Sequence, residues 1–449
     1  MAEYKKKNIK KIKLNKIAPA VKKSKPEKPS KPVKVEMAHT KPIVNKKPVE
    51  KPVNEKPIKK KVSKKETNFV SYNVIIGDKA KNAAKKLKKF IGIAVVATVI
   101  IIVSLMTPTG LTEYIQNAIL SIGSADFPKE LTGSQTVSSE YRNNKLYVIT
   151  DMAYNVYNSK GKTILSDTHG FSNPFMKVSS ARTLVLDQNG VGYKIYNLNN
   201  AVVDLTSKNN LITGDIARNG TYAIVSKPPD FASNVEVYSK SNKLMFSWSS
   251  SKEIITAVCL SNNGKKIAVS TIYSDAGEYN SKVYVFNYKN AEPLLKLEYN
   301  LPVLYLKTLN GSSFASVTNS KIDFVNWRNQ KVTSIENEGN IINFRHISNS
   351  QFLVSCESSM NNLETHCTLY NSRFEAVQNV LFSGSAEDVS YSGGKFICFD
   401  DNTAYALDES GKTVYSAECG YSVRHIFAKK SDTLFAVSDT EVRKIVMED

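Results

Sequence analysis

Histidine, cysteine and tryptophan are scarce in this 449-residue chain, which contains five His, five Cys and two Trp. No nucleophile elbow, His-Glu-x-x-His pair or phosphate-binding Gly-rich loop occurs, and no two His share metal-ligand spacing. The odd number and wide spacing of the cysteines also argue against a metal site. These absences leave no residue with a catalytic, cofactor-binding or metal-ligating assignment, and the sequence indicates no cofactor.

Arginine is absent from residues 1–89, which nevertheless hold 29 Lys against 7 acidic residues, a net charge of +22. Residues 90–449 hold 32 basic and 34 acidic residues, a net charge of −2. This even balance argues against a strongly basic nucleic-acid-binding face in the larger part of the chain. Nucleic acid stays open as a partner of the basic tail alone.

The Lys/Pro-rich tail, residues 1–78, is predicted to be disordered. Eight of the chain's 15 Pro lie between Pro19 and Pro57, separated mostly by Lys. Such a segment is too charged and too poor in apolar residues to offset the entropy of ordering it. Two interpretations stay open: a solvated spacer, or an electrostatic arm that binds anionic lipid or nucleic acid.

A membrane segment is predicted within residues 79–107. Phe90 to Met106 is a run of 17 residues without a charge, at the lower end of what spans a bilayer. Six Lys precede it between Lys79 and Lys89, whereas no Lys or Arg occurs from Thr107 to Asp126. The positive-inside rule then predicts a single-pass protein of the cell membrane, with a cytoplasmic N-terminus and an extracellular C-terminal domain.

Four of these lysines are expected to contact anionic lipid at the cytoplasmic side of the membrane. They are Lys85, Lys86, Lys88 and Lys89.

A short amphipathic helix is predicted in the linker, residues 108–125. Its apolar positions follow i, i+3, i+4 spacing, with Thr109 or Thr112 as N-cap and Gly123 as the end. They are Leu111, Tyr114, Ile115, Ala118, Ile119 and Ile122. The apolar side lies either on the membrane surface or under the following domain, and the absence of Lys and Arg favours the second.

Residues 126–449 repeat a β-rich pattern with a mean period of about 41 residues. Each repeat has a run such as KLYVITD or TLFAVS, and in most repeats a second run and a Gly- or Asn-containing turn follow. In several repeats that second run ends in Asn, as at Asn158, Asn197, Asn287 and Asn371. Four short strands per repeat of this length are typical of a β-propeller blade, whereas β-solenoid repeats are shorter and more regular.

The fold class is therefore all-β, a β-propeller in which eight blades are favoured and seven are possible. The last repeat lacks a fourth strand, which residues 130–135 are expected to supply and so close the ring. Seven blades result if the first repeat merges with the last.

The layout resembles a family of bacterial single-pass, membrane-anchored β-propeller proteins of unknown function. The similarity rests on Gly123–Pro128, on His169-Gly170-Phe171 with Pro174, and on Leu186-Asp187 with Gly190, Gly192 and Tyr193. More remotely the repeats are similar to YVTN and quinoprotein-like propellers, while the WD-repeat signature is absent. The resemblance implies a fold and a location, not a reaction.

A few side chains have alternative interpretations. Asp151, Asp187 and Asp400 end β-rich runs, where a carboxylate lines a channel or, more commonly, makes turn hydrogen bonds. His169 is expected to serve a turn or blade packing.

Cys356 and Cys367 fall on consecutive strands of one predicted hairpin and either form a disulfide or, as favoured, are buried as thiols.

The sequence therefore favours a binding, scaffold or sensor module at the cell envelope, with an envelope protein or glycan as partner. The alternative is an envelope enzyme that acts on polysaccharide with carboxylates at the propeller channel. The assignment as an enzyme stays uncertain and leans toward none.

Overall fold

The computed structural model describes residues 72–106, 110–336, 339–348, 350–358 and 363–448. The chain divides into two compact units, Met1–Ile76 and Gly77–Asp449. Residues 1–71, most of the predicted disordered tail, lie outside the described residues. A helix begins at Tyr72 and therefore includes the last seven residues of the predicted tail, while the stretch rich in the helix formers Ala and Lys follows in residues 79–89.

Two helices precede the strands. Helix α1 is Tyr72–Met106, and helix α2 is Leu111–Leu120, which begins after Gly110 without a side-chain cap. In the part of the chain that the structure describes, no helix combines the length and apolarity needed to cross a membrane. The predicted membrane span is therefore not confirmed.

Thirty-two strands follow among the described residues, all in four-stranded antiparallel sheets. They are β1 (Lys129–Glu130), β2 (Thr136–Arg142), β3 (Lys145–Thr150), β4 (Ala153–Asn158), β5 (Thr163–Thr168), β6 (Pro174–Val178), β7 (Thr183–Asp187), β8 (Gly192–Tyr196), β9 (Ala201–Thr206), β10 (Asn210–Ile216), β11 (Tyr222–Lys227), β12 (Ser233–Tyr238), β13 (Leu244–Ser250), β14 (Ile254–Leu260), β15 (Lys266–Asp275), β16 (Glu278–Asn287), β17 (Leu295–Tyr299), β18 (Tyr305–Thr308), β19 (Ser313–Val317), β20 (Lys321–Asn326), β21 (Val332–Glu336), β22 (Ile341–Ser348), β23 (Gln351–Glu357), β24 (Thr365–Asn371), β25 (Ala376–Phe382), β26 (Asp388–Ser392), β27 (Lys395–Asp400), β28 (Thr403–Leu407), β29 (Thr413–Glu418), β30 (Val423–Ala428), β31 (Thr433–Ser438) and β32 (Glu441–Val446).

The strands form an eight-bladed β-propeller. Blades 1 to 7 each take four consecutive strands, from β2–β5 to β26–β29, and blade 8 has the order β1-β32-β31-β30. Strand β1 closes the ring by pairing Lys129 with Val442 and Glu130 with Glu441. The prediction of eight blades and of an N-terminal closing strand is confirmed, and the seven-blade alternative is wrong. Closure gives blade 8 its fourth strand and joins the N-terminal end of the ring to the last blade.

Local chemistry explains the repeated Asn. At the end of the third strand of a blade, its side-chain oxygen accepts hydrogen bonds from backbone N–H groups of the following turn. Asn158 bonds the N–H groups of Lys160 and Lys162 in this way, and Asn287 bonds those of Lys289 and Asn290. These turns lead to the fourth strand, so the sequence signal is an Asx turn.

The apolar core lies between neighbouring blades. Between blades 3 and 4, for example, Val225 and Phe246 pack with Val258 and Phe286, all buried. Burying a side chain of this size contributes about 1.5–3 kcal/mol. Because every blade needs its neighbours to cover its apolar side chains, the ring is stable only as a whole.

Alternation of strand direction gives the propeller two distinct faces. The first strands of neighbouring blades run the same way, since Asp388 and Ser390 of β26 bond the N–H groups of Ile426 and Ala428 in β30. The turns between first and second strands, and between third and fourth strands, therefore share one face, which we call the helix-side face. The turns between second and third strands and the connections between blades form the opposite, far face.

Candidate functional site

Helix α2 is bound to the helix-side face through its polar side. Arg182, in the turn between β6 and β7, donates from Nε and Nη2 to the two carboxylate oxygens of Glu113 at 3.1 and 2.9 Å. Both side chains are nearly buried, with 11% and 12% of their surface exposed. Arg182 also donates to the carbonyl oxygen of Lys240 in blade 3. A bidentate pair of this kind fixes orientation as well as distance.

The C-terminal end of α2 is held by the turn between β4 and β5. Lys162 Nζ donates to the carbonyl oxygens of Leu120 and Ile122 at 3.1 and 2.7 Å. Asn158 Nδ2 donates to those of Ser121 and Gly123 at 3.0 and 2.8 Å. A cation and an amide thus satisfy carbonyl groups that the helix end leaves without internal partners.

The apolar side of α2 faces away from the propeller. Tyr114, Ile115, Ile119 and Ile122 are all about half exposed or more, and only Leu120 of this helix packs partly against the blade core. The favoured prediction, that the apolar side lies under the propeller, is therefore wrong. The physical reason is that Arg182, Lys162 and Asn158 offer charge and hydrogen bonds, which the polar side and the carbonyl end can use.

The far face carries exposed apolar side chains of its own. Tyr421 is 84% exposed, Leu363 is 70% exposed and Tyr279 is 66% exposed, each in a different blade or connection. Other exposed apolar side chains on the far face include Met152, Val191, Phe231 and Leu301. Scattered single apolar side chains are ordinary on a protein surface, but these recur at loop positions on one face of the ring.

The first strands of the blades line the centre of the ring. They contact one another around it, for example β10 with β14, β26 with β30, and β2 with β30 across the closure. Seven of these eight strands contribute an ionisable side chain to the channel or its wall, and four of those strands contribute a permanent cation. The side chains are Glu140, Arg142, Lys177, Asp215, Lys307, Arg345, Asp388 and His425.

Asp388 is the most heavily bonded carboxylate in the channel wall. Its two oxygens accept from Arg345 Nη2 at 2.9 Å each, and one also accepts from the N–H of Ile426 at 2.9 Å. Burial alone would raise the pKa of Asp388, but Arg345 and His425 hold that pKa below its ordinary value. Arg345 in turn donates to the carbonyl oxygen of Ile426 at 2.7 Å, so this pair joins blades 6, 7 and 8.

Asp215 occupies a similar place on the first strand of its blade, but burial and nearby charge combine to shift its pKa in the opposite direction. Its Oδ2 accepts from the N–H of Leu260 in the next blade at 2.7 Å. Among the described residues no cation lies within ion-pair distance of it, and burial raises its pKa despite the charge of Lys177. Asp388 and Asp215 thus each accept a hydrogen bond from a backbone N–H group of the next blade, but only Asp388 also has a cation as partner.

Lys307 and Lys177 are the cations that the channel leaves unpaired. Within the described residues neither ammonium group lies within 4.0 Å of a carboxylate, whereas Arg142 lies 3.5 Å from Glu140. Burial lowers the pKa of Lys307 to about 8, Glu140 opposes this shift, and Lys177, Arg142 and Arg345 add to it. Lys307 is partly buried on blade 5, and the cations that repel it come from blades 1, 2 and 6.

The sequence-predicted acidic residues act in turns. Asp151 accepts from the N–H and hydroxyl of Ser134, and Asp187 accepts from the N–H of Asn173. The favoured interpretation as turn ligands fits both. Neither residue belongs to the first strands that line the channel.

His169 is buried in the connection between blades 1 and 2. Its Nδ1 accepts from the N–H of Phe171 at 3.0 Å, so Nε2 carries the proton and donates to the carbonyl oxygen of Thr150 at 3.0 Å. Burial lowers the pKa of His169, which keeps the ring neutral. These contacts serve blade packing.

The predicted Cys356–Cys367 disulfide is not formed. Cys356 lies opposite His366 and Cys367 opposite Ser355, so the two thiols are one residue out of register and point to opposite faces of the sheet. All five cysteines are free. Cys367 instead approaches Cys398 of the next blade, with 3.8 Å between the sulfur atoms.

The lipid-binding lysines stay a prediction. Lys85, Lys86, Lys88 and Lys89 lie exposed on α1, where no contact of the described chain assigns them a role. In the described part of the chain no cluster of three His, Cys, Asp or Glu side chains is arranged to hold a metal.

Sequence reasoning missed the channel cations and the Arg182–Glu113 pair. A signal for the first was present, because Lys177, Lys307 and Arg345 interrupt short apolar strands in the segments FMKV, YLKT and NFRH. The second leaves no local signal, since its partners lie 69 residues apart.

Known proteins resemble this chain in fold. The structure of Sqt1 from Saccharomyces cerevisiae superposes with a TM-score of 0.51 at 10% identity, covering 72% of this chain and all of Sqt1. The C-terminal WD40 domain of Sif2 superposes with a TM-score of 0.50 at 11% identity, covering 73% of this chain and all of that domain. At such identity the likeness shows the fold alone.

Sequence comparison points to one family. A family model described as a family of unknown function (DUF5711) matches residues 125–447. No curated protein matches the chain at a significant level.

Proposed function

The chain belongs to DUF5711, a family of unknown function, and we propose that it is a membrane-attached propeller scaffold that binds a partner protein with its far face. The proposed topology is single-pass, with residues 1–78 in the cytoplasm and the propeller outside the cell membrane. The observation that carries this proposal is the orientation of α2, bound to the propeller by its polar side and apolar toward solvent.

The exposed side of α2 supports attachment to lipid. Burying four side chains such as Tyr114, Ile115, Ile119 and Ile122 stabilises the bound state by roughly 1.5–3 kcal/mol each when burial is complete. A helix at a membrane surface needs an apolar side of this kind. The absence of Lys and Arg in α2 weakens electrostatic attraction, so apolar burial supplies most of the affinity.

Helix α1 supports the same attachment. The side chains of residues 82–102 are exposed, and the sequence from Phe90 through Met106 contains no charge. At 1.5 Å per residue these 17 residues extend about 25 Å as a helix, against about 30 Å for a typical hydrocarbon core, so the run can enter most of that depth. Lys85, Lys86, Lys88 and Lys89 precede the run, where anionic headgroups would accept them.

The far face supports the choice of a protein partner. Tyr279, Phe231 and Tyr421 are amphipathic or aromatic side chains of the type enriched in protein interfaces. With α2 holding the helix-side face toward lipid, the far face is the surface presented away from the membrane. An apolar, aromatic surface suits a protein better than a polar glycan.

The polysaccharide-enzyme alternative has no comparable support. In the described chain the channel carboxylates Asp388 and Glu140 lie beside arginines, and Asp215 is bonded to a backbone N–H. No second function is therefore put forward.

Fluorescence quenching in reconstituted vesicles tests the attachment. The full-length protein carries an environment-sensitive dye at Ile119→Cys or, as the matched control, at Tyr279→Cys, and the unmutated protein gives the background labelling of its native thiols. We expect a lipid-embedded quencher to quench the dye at position 119 several-fold more than the dye at position 279. Two results would contradict the proposal: equal quenching at both positions, or protein that stays in the aqueous phase and does not associate with the vesicles.

In-cell photocrosslinking tests the partner face. A photoreactive amino acid replaces Tyr279 on the far face or Lys412, an exposed residue of the helix-side face. We expect one discrete protein adduct from position 279, lost when Phe231→Ser and Tyr421→Ser are added, and no such adduct from position 412. The same adduct from both positions, or an adduct from position 279 that survives these substitutions, contradicts the assignment of the face.

A further inference from the structure

The channel concentrates cations that the protein itself does not neutralise. Arg142 and Arg345 have carboxylate partners, Glu140 and Asp388. Lys177 and Lys307 have none within ion-pair distance among the described residues. Lys307 is nevertheless withdrawn from water far enough for its charged form to be disfavoured.

Neighbouring charges make this arrangement costly. Lys307 on blade 5 is repelled by Lys177, Arg142 and Arg345, whose strands lie in blades 2, 1 and 6, and Glu140 attracts it. An ammonium group without a partner inside a protein loses hydration and receives no compensation. Replacing it by an apolar side chain would relieve that cost, so its presence calls for a role.

The protein groups nearest the lysines are already engaged. Arg142 Nη1 donates to the carbonyl oxygen of Val178 at 2.7 Å, directly after Lys177 in the chain. Asp215 accepts from Leu260, which leaves it bound to the wall between blades 3 and 4. Among the described residues Lys177 Nζ makes no hydrogen bond or ion pair, and it lies 5.6 Å from the centroid of the Phe175 ring.

We infer that the central channel binds a small oxyanion, a phosphate or a carboxylate group, at the end of the first strands where Lys307 and Lys177 lie. Arg142 lies at the same end of the first strands and adds positive potential. An oxygen anion would accept charge-assisted hydrogen bonds from both lysines and relieve the repulsion between them. The inference concerns the propeller alone and does not depend on membrane attachment.

Arginine–carboxylate pairs around the site set its selectivity. Because Asp388 and Arg345 neutralise each other and Glu140 lies beside Arg142, the two lysines and Asp215, whose pKa burial raises, are the groups left without an ion-pair partner among these described residues. A dianion matches two ammonium groups better than a monoanion does. Inorganic phosphate and citrate therefore probe the site as the simplest phosphate and carboxylate ligands.

Isothermal titration calorimetry on the full-length protein in detergent micelles tests whether the channel binds an oxyanion. Phosphate and citrate are each titrated into the unmutated protein and into Lys307→Met, Lys177→Met and the control Lys412→Met, which removes an exposed lysine of the helix-side face. We expect at least one of the two anions to bind, with a dissociation constant raised tenfold or more by either channel substitution and unchanged by the control. The tighter of the two anions identifies the ligand as phosphate-bearing or carboxylate-bearing.

Two outcomes would overturn the inference. One is the absence of binding of either anion to the unmutated protein, and the other is binding that Lys307→Met and Lys177→Met leave unchanged. Loss of folding does not confuse the test, because an apolar residue at position 307 removes an unfavourable buried charge. Thermal unfolding of each variant confirms that the propeller is intact before titration.

Discussion

The two faces of the propeller use the same interaction for different ends. On the helix-side face Arg182 pairs with Glu113 of α2, and on the far face Arg424 pairs with Asp439 at 3.0 and 2.9 Å. Both pairs are bidentate. Only the first is nearly buried and joins separate parts of the chain, whereas the Arg424 side chain is 56% exposed and its partner is a neighbour in the same blade.

Because both pairs have the same bidentate geometry, we expect their different burial to decide how much each contributes to stability. The buried Arg182–Glu113 pair holds α2 with its apolar side toward solvent. The exposed Arg424–Asp439 pair lies at a loop and holds no other element in place. On the helix-side face a buried ion pair fixes α2 in the orientation that suits the proposed attachment to lipid. On the far face, apolar side chains lie exposed to solvent.

Removing Arg182 is expected to have the largest effect. Arg182→Ala leaves the nearly buried Glu113 carboxylate without its cation, which costs about 2–4 kcal/mol in the docking of α2. Hydrogen exchange of the amides of residues 111–125 should accelerate about 30-fold or more, since each 1.4 kcal/mol corresponds to a factor of ten. The blades should keep their protection.

A second variant controls for the choice of side chain. Glu113→Gln keeps the shape of the partner and one acceptor oxygen, so its effect should be smaller than that of Arg182→Ala. Unchanged exchange in both variants would show that the pair does not hold the helix.

Lys307→Met is expected to stabilise the propeller. The pKa of Lys307 is lowered to about 8 in the folded protein from 10.5 when unfolded, so the unfolded chain binds more protons between these values. The stability of the unmutated protein should therefore rise with pH from about 8 to about 10.5. At pH 7 the variant should be more stable by about 1–3 kcal/mol, because each pKa unit corresponds to about 1.4 kcal/mol.

Denaturant unfolding at pH 7, 9 and 10.5 measures this difference. The advantage of the variant should shrink as the pH rises, since the unmutated lysine then loses its charge. A variant less stable than the unmutated protein at pH 7 would contradict the picture of an uncompensated ammonium group.

Removing Arg424 should cost little. Arg424→Ala breaks an exposed pair on the far face, and such pairs contribute about 0.2–1 kcal/mol. Urea unfolding should show this small loss, and raised salt should reduce the difference between variant and unmutated protein. A loss as large as that from Arg182→Ala would erase the distinction between the faces.

Far-face apolar substitutions should have the smallest effect on stability. Tyr279 and Tyr421 are largely exposed, so Tyr279→Ser and Tyr421→Ser should change the free energy of unfolding by less than about 0.5 kcal/mol. A loss above 1 kcal/mol in thermal unfolding would mean that these side chains support the fold and are not left for a partner.

The fold could be predicted because each feature of the repeat depends on residues that are close together in the sequence. The period of about 41 residues, the Asn that ends a third strand and the missing last strand each have a local cause, such as the Asx turn at Asn158. Closure by Lys129 and Glu130 followed from the need to cover a strand edge.

The candidate site could not be predicted to the same extent, because it depends on contacts between distant residues. Apolar spacing in α2 shows that the helix has an apolar side, but not that Arg182 would bind the other side. The disulfide alternative for Cys356 and Cys367 is excluded by one residue of register, which the length of a turn decides, and the favoured interpretation as free thiols agrees with the structure. Lys177 and Lys307 share one channel only because the ring brings blades 2 and 5 around it.

Thiol labelling in intact cells tests whether the propeller lies outside the membrane with α2 against the lipid. In a background that lacks the five native cysteines, single cysteines are introduced as Ser24→Cys in the tail, Ile119→Cys on α2 and Tyr279→Cys on the far face, and an impermeant thiol reagent is added outside the cells. The account predicts labelling at position 279, protection at position 119 by lipid and protection at position 24 by the membrane. Labelling at position 24 without labelling at position 279 would contradict it.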